Sequence, residues 1–188
     1  MNLQSTVRIG IKPKEGKQYN NTIKVGDSEL VVCTSIEEAE DVQRIGIVFS
    51  LPINYKGELK VNDEVIVQHN VFRISYNQMG VPMQSNQHIK DDMFFVDEEL
   101  IYLYIRDGIA KGHQDNVFVE PFKEITKWEG EKEVQHQGII YISNKELKSI
   151  GVNENDKIQF RMHCEYEFKI FGKRLYKMKN SRILAKLN

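Results

Sequence analysis

Histidine, cysteine and acidic side chains are the groups from which a catalytic or metal site would be built, and in this sequence their spacing does not form one. The five histidines show no HxxxH or comparable ligand spacing. His163 and Cys164 are adjacent, but the other cysteine of the chain is the distant Cys33. The sequence contains no GxSxG, GxGxxG or P-loop motif. We therefore predict that the protein is not an enzyme and that it has no cofactor and no metal.

Phosphate binding is a second chemistry that the sequence raises, because the end of the chain is basic. Residues 169–186 contain seven lysines and arginines and no acid, and the aromatic residues Phe168, Phe171 and Tyr176 are interleaved with them. Such a pattern is found on barrels that bind single-stranded nucleic acid. The same alternation is typical of a solvated antiparallel strand, and the net charge of the chain is −1. Nucleic-acid binding is therefore an alternative, and nucleic acid is not the expected partner.

Protein docking is the third possibility, and it rests on a stretch of residues 14–44 that we call the first insertion. It carries two aliphatic patches, Ile23-Lys24-Val25 and Leu30-Val31-Val32, with Gly26 between them. Two structures fit this local pattern equally well. One is a functional or disordered loop, because loops of this length are uncommon inside compact domains. The other is a β-hairpin that pairs Thr22–Val25 with Glu29–Val32 across a Gly-Asp-Ser turn.

A repeated β module must position these groups. Residues 46–67 and 138–160 each open with a glycine and a short β-branched or aromatic run. Each then has a polar spacer, an Asn-Asp turn and a second apolar alternation, which predicts strand, turn, strand. Upstream, each copy has an alternating strand that is halted by a proline, Pro13 or Pro121. The chain therefore consists of two copies of one small β module.

The two copies differ in length at two places. Pro13 and Gly46 are 33 positions apart, whereas Pro121 and Gly138 are 17 apart, so the first copy is longer by 16 residues here. A second insertion, residues 68–92, makes the first copy longer by a further 11 residues. It is predicted to be a projecting hairpin with a partly apolar tip. Such tips often mark contacts, although folding back on the parent domain is the more common outcome.

Size and composition set the remaining expectations. The 188 residues, with 40 % hydrophobic and 28 % charged side chains, fit two domains, predicted at 1–108 and 109–188 with a polar junction between them. The two cysteines lie at non-matching positions of the copies, which argues against a disulfide and favours a reducing cytoplasm. We see no signal peptide, and no apolar run approaches the ~18–20 residues that span a bilayer. We expect no membrane partner.

In the order and spacing of its motifs, each copy resembles the GroES-type co-chaperonin, a small β-barrel that caps a chaperonin ring. Members of that family begin with a strand of the type DRVIVKR, which residues 7–12 resemble and residues 116–120 resemble more faintly. The family then has a loop followed by GxVxxVG, and residues 46–48 and 138–140 approximate the start of this motif.

The later motifs follow in the same order. The family's VKxGDxVxF is similar to residues 59–67 and 152–160, with Asn62 and Asn155 where the family has Gly. The last family segment, GxxYLxMxExDILAIV, is close to residues 172–187 and matches residues 92–105 more loosely.

The resemblance implies an all-β chain of two tandem GroES-like β-barrels, the first with a long loop and a projecting hairpin. It also implies that the first insertion is a mobile loop whose apolar tripeptide docks into the chaperonin. We call the residues that would dock the docking residues: Ile23, Lys24, Val25, Gly26, Leu30, Val31 and Val32. Lys24 departs from the family's apolar tripeptide, and the second copy lacks the long loop, so only the first copy would dock.

The implied function is that of a co-chaperonin that assists ATP-driven folding. Its partners would be a GroEL-type chaperonin ring, which binds the ATP, and further copies of the chain in a homo-oligomeric ring. The location would be the cytoplasm, or the host cytoplasm if a virus encodes the chain. One alternative is a structural or interaction module, such as a virion component, that kept the barrel but not the docking. The other is the nucleic-acid-binding barrel.

Overall fold

The computed structural model describes residues 4–19, 22–26, 28–31, 42–126 and 130–187. These residues form seventeen strands, one α-helix and three 3-10 turns, so the prediction of an all-β fold is confirmed. The strands are β1 (Ile9–Pro13), β2 (Thr22–Val25), β3 (Ser28–Val31), β4 (Ile45–Ser50), β5 (Glu64–Val67), β6 (Ser75–Tyr76), β7 (Pro82–Met83), β8 (His88–Lys90), β9 (Met93–Val96), β10 (Ile101–Arg106), β11 (Ile109–Gly112), β12 (Asn116–Thr126), β13 (Gly130–Ile142), β14 (Lys157–Phe160), β15 (Tyr166–Ile170), β16 (Lys173–Lys179) and β17 (Ile183–Leu187). The helix is α1 (Lys145–Ser149), and the 3-10 turns are Lys14–Gly16, Glu98–Leu100 and Asn180–Arg182.

The chain divides into two compact units, residues 1–107 and 108–188, which contain the first and the second copy of the repeat. In the first copy, six strands lie in the order β10-β5-β4-β1-β9-β8. In the second copy, the order is β17-β14-β13-β12-β16-β15. Within these two sets of six, each strand of one copy pairs with the counterparts of its partners in the other.

The pairing register also follows the sequence repeat. Pro13 pairs with Gly46 in the first copy, and Pro121 pairs with Gly138 in the second. In both copies the register shifts three positions before the proline, between Gly10 and Ile11 and between Phe118 and Val119. The repeat therefore extends to a local irregularity of strand pairing.

The predicted Asn-Asp turn has the same geometry in both copies. Asn62 and Asn155 adopt left-handed backbone angles, with φ of 73° and 69°. Asparagine tolerates this conformation better than most residues, which explains how it replaces glycine at these positions. Asp63 and Asp156 each accept a hydrogen bond, 2.7 Å long, from the backbone N–H three residues earlier. The side chain thus closes the turn that the asparagine makes possible.

Each copy has its own apolar core. The first is built from aliphatic residues and from Phe72 and Phe94, which pack edge to face at 4.9 Å between ring centroids. The second centres on Val117, Ile140 and Phe160. In each copy the hydrogen-bonded strand order of the described residues has two ends, so both sheets are open, and the closed barrels that the resemblance implies are not confirmed. None of the helices in this part of the chain has the length and apolarity of a membrane span.

Candidate docking site

The first insertion leaves the first copy through a closed neck. After β1 the chain makes the 3-10 turn Lys14–Gly16, and Tyr19 then forms an isolated antiparallel bridge with Val42. The N–H of Gln43 donates to the carbonyl oxygen of Gln18 at 2.8 Å, next to this bridge. The side chain of Val42 is buried in the core. The bridge and this hydrogen bond pair the chain segments on either side of residues 20–41, and we call this pairing the neck.

Beyond the neck, the backbone of the first insertion forms the antiparallel hairpin β2–β3. Ile23 pairs with Leu30, and Val25 pairs with Ser28, so the second strand begins one residue earlier than predicted. This register leaves the two-residue connection that hairpins favour. Ile23, Lys24 and Val25 lie in β2, Leu30 and Val31 lie in β3, and Gly26 follows β2 with a φ of +63°. Val32 lies outside the described residues, so the structure brings six of the seven docking residues into one hairpin.

The second insertion is anchored at its root and exposed at its tip. Val71 and Phe72 are fully buried at the root, and the hydroxyl of Ser85 on the returning limb donates to the carbonyl oxygen of Val71 at 2.5 Å. The short strands β6 and β7 then pair and project from this root. The tip is capped from within, because the Asn77 side chain accepts from two backbone N–H groups at 2.9 Å each.

The apolar tip of the second insertion faces solvent. Met79 is 89 % exposed, and Val81 and Met83 are each about half exposed. All residues from Ser75 to Gln84 are exposed. Folding back on the parent sheet is the more common outcome for such a pattern. This tip does not fold back.

Gln18 and Tyr19 connect the two insertions. The Gln18 side-chain amide donates to the carbonyl oxygen of Phe72 at 3.1 Å and to the Gln84 side chain at 2.8 Å. The Tyr19 hydroxyl accepts from the Ile74 N–H at 2.7 Å and donates to the Ile74 carbonyl oxygen at 3.3 Å. These contacts join residues that are more than fifty positions apart in the chain, so no local sequence pattern announces them.

Burial shapes the protonation of the groups around this junction. It raises the pKa of Tyr19, whose ring packs against the core of the first copy. A tyrosine hydroxyl is protonated at neutral pH even without this shift, so it can donate to Ile74. Burial also lowers the pKa of His69, and the nearby positive charges of Arg44 and Arg73 lower it further. His69 is thus held neutral at neutral pH, at the start of the second insertion.

The second copy carries an extension of β12 and β13 where the first copy carries its first insertion. After a second register shift the two strands continue to pair beyond Pro121 and Gly138, which the sequence alone did not predict. Opposite charges face each other across this extension, Lys123 opposite Glu133 and Glu124 opposite Lys132. Such cross-strand pairs favour a hairpin modestly. The Ile125 side chain near its end is 82 % exposed.

The other candidate chemistries receive little from the structure. Cys164 is part-buried against the core of the second copy, its thiol donates to the Arg161 carbonyl oxygen, and burial raises its pKa. Cys33 lies outside the described residues. Within the ranges that the structure describes, no three His, Cys, Asp or Glu side chains are grouped as metal ligands.

The basic end of the chain is largely matched by acids from elsewhere in the second copy. The ion pairs are Lys173–Glu120, Arg174–Glu133, Lys179–Asp115 and Lys186–Asp156, at 2.6 to 3.0 Å. Of the interleaved aromatic residues, Phe168 and Tyr176 are buried and only Phe171 is half exposed. Bases can stack only on exposed rings, and phosphates bind best to cations without acidic partners. The arrangement therefore does not favour the nucleic-acid alternative.

No family model matches the chain, and no curated protein matches it significantly.

Proposed function

We propose that the chain is a non-enzymatic co-chaperonin that caps a chaperonin ring through the docking residues. The observation that carries the proposal is the hairpin β2–β3, which holds six docking residues beyond a closed neck in the first copy alone. The second copy has the same six-strand order but a charged, laddered hairpin in its place. One docking element for each pair of modules is what the proposal requires.

The proposed mechanism is weak, repeated binding. A short segment that offers a few aliphatic side chains binds a groove weakly, because part of the interaction free energy is used in ordering it. Several chains in one ring multiply the weak contact through effective concentration. The lid can then bind firmly and still be released when the partner, which binds and hydrolyses ATP, changes shape. The cytoplasm, or the host cytoplasm for a virus-encoded chain, is the proposed location.

The test is co-sedimentation of the full chain with a GroEL-type chaperonin ring, with and without ATP. The chain should be captured in the presence of ATP. A variant with Ile23, Val25, Leu30, Val31 and Val32 replaced by Ser should bind at least about 100-fold more weakly, because both the apolar contacts and the avidity built on them are lost.

The matched control is Ile125→Ser, which removes an exposed aliphatic side chain from the hairpin at the equivalent place of the second copy. It should leave capture unchanged. If the docking variant sediments with the ring as the unaltered chain does, or if the unaltered chain is never captured, the lid proposal is refuted. A structural or interaction module is then the better description.

A further inference from the structure

We infer that Gln18 and Tyr19 are positioning residues that join the two insertions of the first copy into one unit, so that the second insertion fixes the neck of the first. The part of the inference that is tested by chaperonin capture rests on the proposed function. The part that is tested by hydrogen exchange does not. Both residues act twice. Their backbones close the neck with Val42 and Gln43, and their side chains bind the second insertion.

Tyr19 does for Ile74 what a neighbouring strand would do. Its single hydroxyl satisfies both the N–H and the carbonyl oxygen of Ile74. Ile74 stands directly before β6, at the point where the second insertion leaves its root. A backbone held in this way cannot turn without breaking two hydrogen bonds or moving the tyrosine, and the tyrosine is part of the neck.

Gln18 holds both limbs of the second insertion. Its amide binds the carbonyl oxygen of Phe72 on the outgoing limb and the side chain of Gln84 on the returning limb. Gln84 returns a second hydrogen bond to the Gln18 side-chain oxygen at 3.3 Å. The neck therefore lies against two chain segments rather than one, which restrains rotation of the neck as well as separation from the root.

The root of the second insertion is firm enough to act as a support. Phe72 is fully buried and packs on Phe94 of β9, a central part of the core. The contacts thus form a continuous connection from the core through Phe72 and Ile74 to Tyr19 and the neck. The second copy is shorter at the place of the second insertion, and there β12 and β13 themselves continue to pair past Pro121 and Gly138, so a connection of this kind is not needed.

The experiment compares Tyr19→Phe with Tyr55→Phe in the full chain. Tyr55 belongs to the same copy and its hydroxyl donates to Glu98 at 2.6 Å. Neither residue is part of an insertion, so Tyr55→Phe is a matched loss of one tyrosine hydroxyl. Hydrogen exchange of the Ile74 and Gln43 amides should become about 3- to 10-fold faster in Tyr19→Phe. This is the factor for one hydrogen bond of ordinary strength, because the second bond of the Tyr19 hydroxyl is long, at 3.3 Å. The exchange of these amides should not change in Tyr55→Phe.

The binding readout is capture by the chaperonin ring with ATP. Tyr19→Phe should weaken it by about 3- to 10-fold, while Tyr55→Phe leaves it unchanged. Equal exchange at Gln43 in the two variants overturns the inference, and so does equal capture. If the unaltered chain is not captured at all, the proposed function has failed. The exchange rates at Ile74 and Gln43 alone then decide whether Gln18 and Tyr19 join the two insertions.

Discussion

The strand that ends at Pro13 and the strand that passes through Pro121 have the same register with their partners and then take different courses. After Pro13 the chain turns away at Lys14–Gly16, where Glu15 and Gly16 both have positive φ. After Pro121 a second register shift lets β12 continue and pair Lys123 with Glu133. A few residues after a shared proline therefore decide whether the module carries an insertion on a neck or an extended hairpin.

The aspartates of the two Asn-Asp turns contribute differently to stability. Among the substitutions predicted to destabilise either copy, replacing Asp63 should give the largest loss of unfolding free energy. Asp63 is buried and binds Arg106 through two hydrogen bonds of 2.6 and 2.7 Å. Asp63→Ala should destabilise the first copy by about 2–3 kcal/mol, because the part-buried guanidinium loses its partner. Asp156→Ala should cost the second copy less, since Asp156 is more exposed and pairs with Lys186. Urea unfolding followed by hydrogen exchange of peptides from each copy measures both. Equal losses would contradict the comparison.

The glycines that pair with the two prolines should respond differently to a methyl group. A Cβ at Gly138 would lie 2.3 Å from a Val119 methyl group and 2.9 Å from the backbone oxygen of Glu120, which cannot move aside. At Gly46 the nearest atom would be the tip of the Phe72 ring at 3.2 Å. Gly138→Ala should therefore destabilise its copy by about 1–3 kcal/mol, the range for overpacking.

Gly46→Ala, followed by the same unfolding measurement, is the internal control and should have the smaller effect. If Gly46→Ala proves the more damaging of the two, the close contacts at Gly138 do not set the difference between these equivalent positions.

The smallest expected effect is a stabilisation at the turn between β15 and β16. Phe171 has a φ of 52° there and is half exposed, whereas Asp91 has a φ of 49° in the corresponding turn of the first copy. Bulky residues are disfavoured in this region, and an Asn-Gly pair is favoured in such two-residue turns. Phe171→Asn, which creates that pair with Gly172, should stabilise the second copy by about 0.5–1 kcal/mol. A fall in the urea midpoint would instead mean that the ring makes stabilising contacts.

Much of the fold was predictable because its markers are local. The glycines, the prolines and the Asn-Asp turns set strand ends and corners, and they recur at matching places in both copies. The extended hairpin of the second copy is not predictable in the same way, for a physical reason. Its mixture of Lys and Glu is also typical of a polar connection between strands. The strand pairing is what places Glu124 opposite Lys132, and the sequence alone does not show that these opposite charges face each other.

The candidate site was only half predictable. The pairing of Ile23 with Leu30 follows from two aliphatic patches around a glycine. The contacts of Gln18 and Tyr19 with the second insertion depend on which loop the fold brings beside them, and a single sequence does not contain that information. Docking itself stays a prediction, because it depends on a second protein.

The bridge between Tyr19 and Val42 has a consequence for how such a protein can change over time. The segment between these residues can change in length or sequence without changing the sheet that carries it. The entropic cost of closing a loop rises by only about 0.6 kcal/mol for each doubling of its length. Selection for a new binding partner can therefore act on that segment separately from selection for the stability of the sheet.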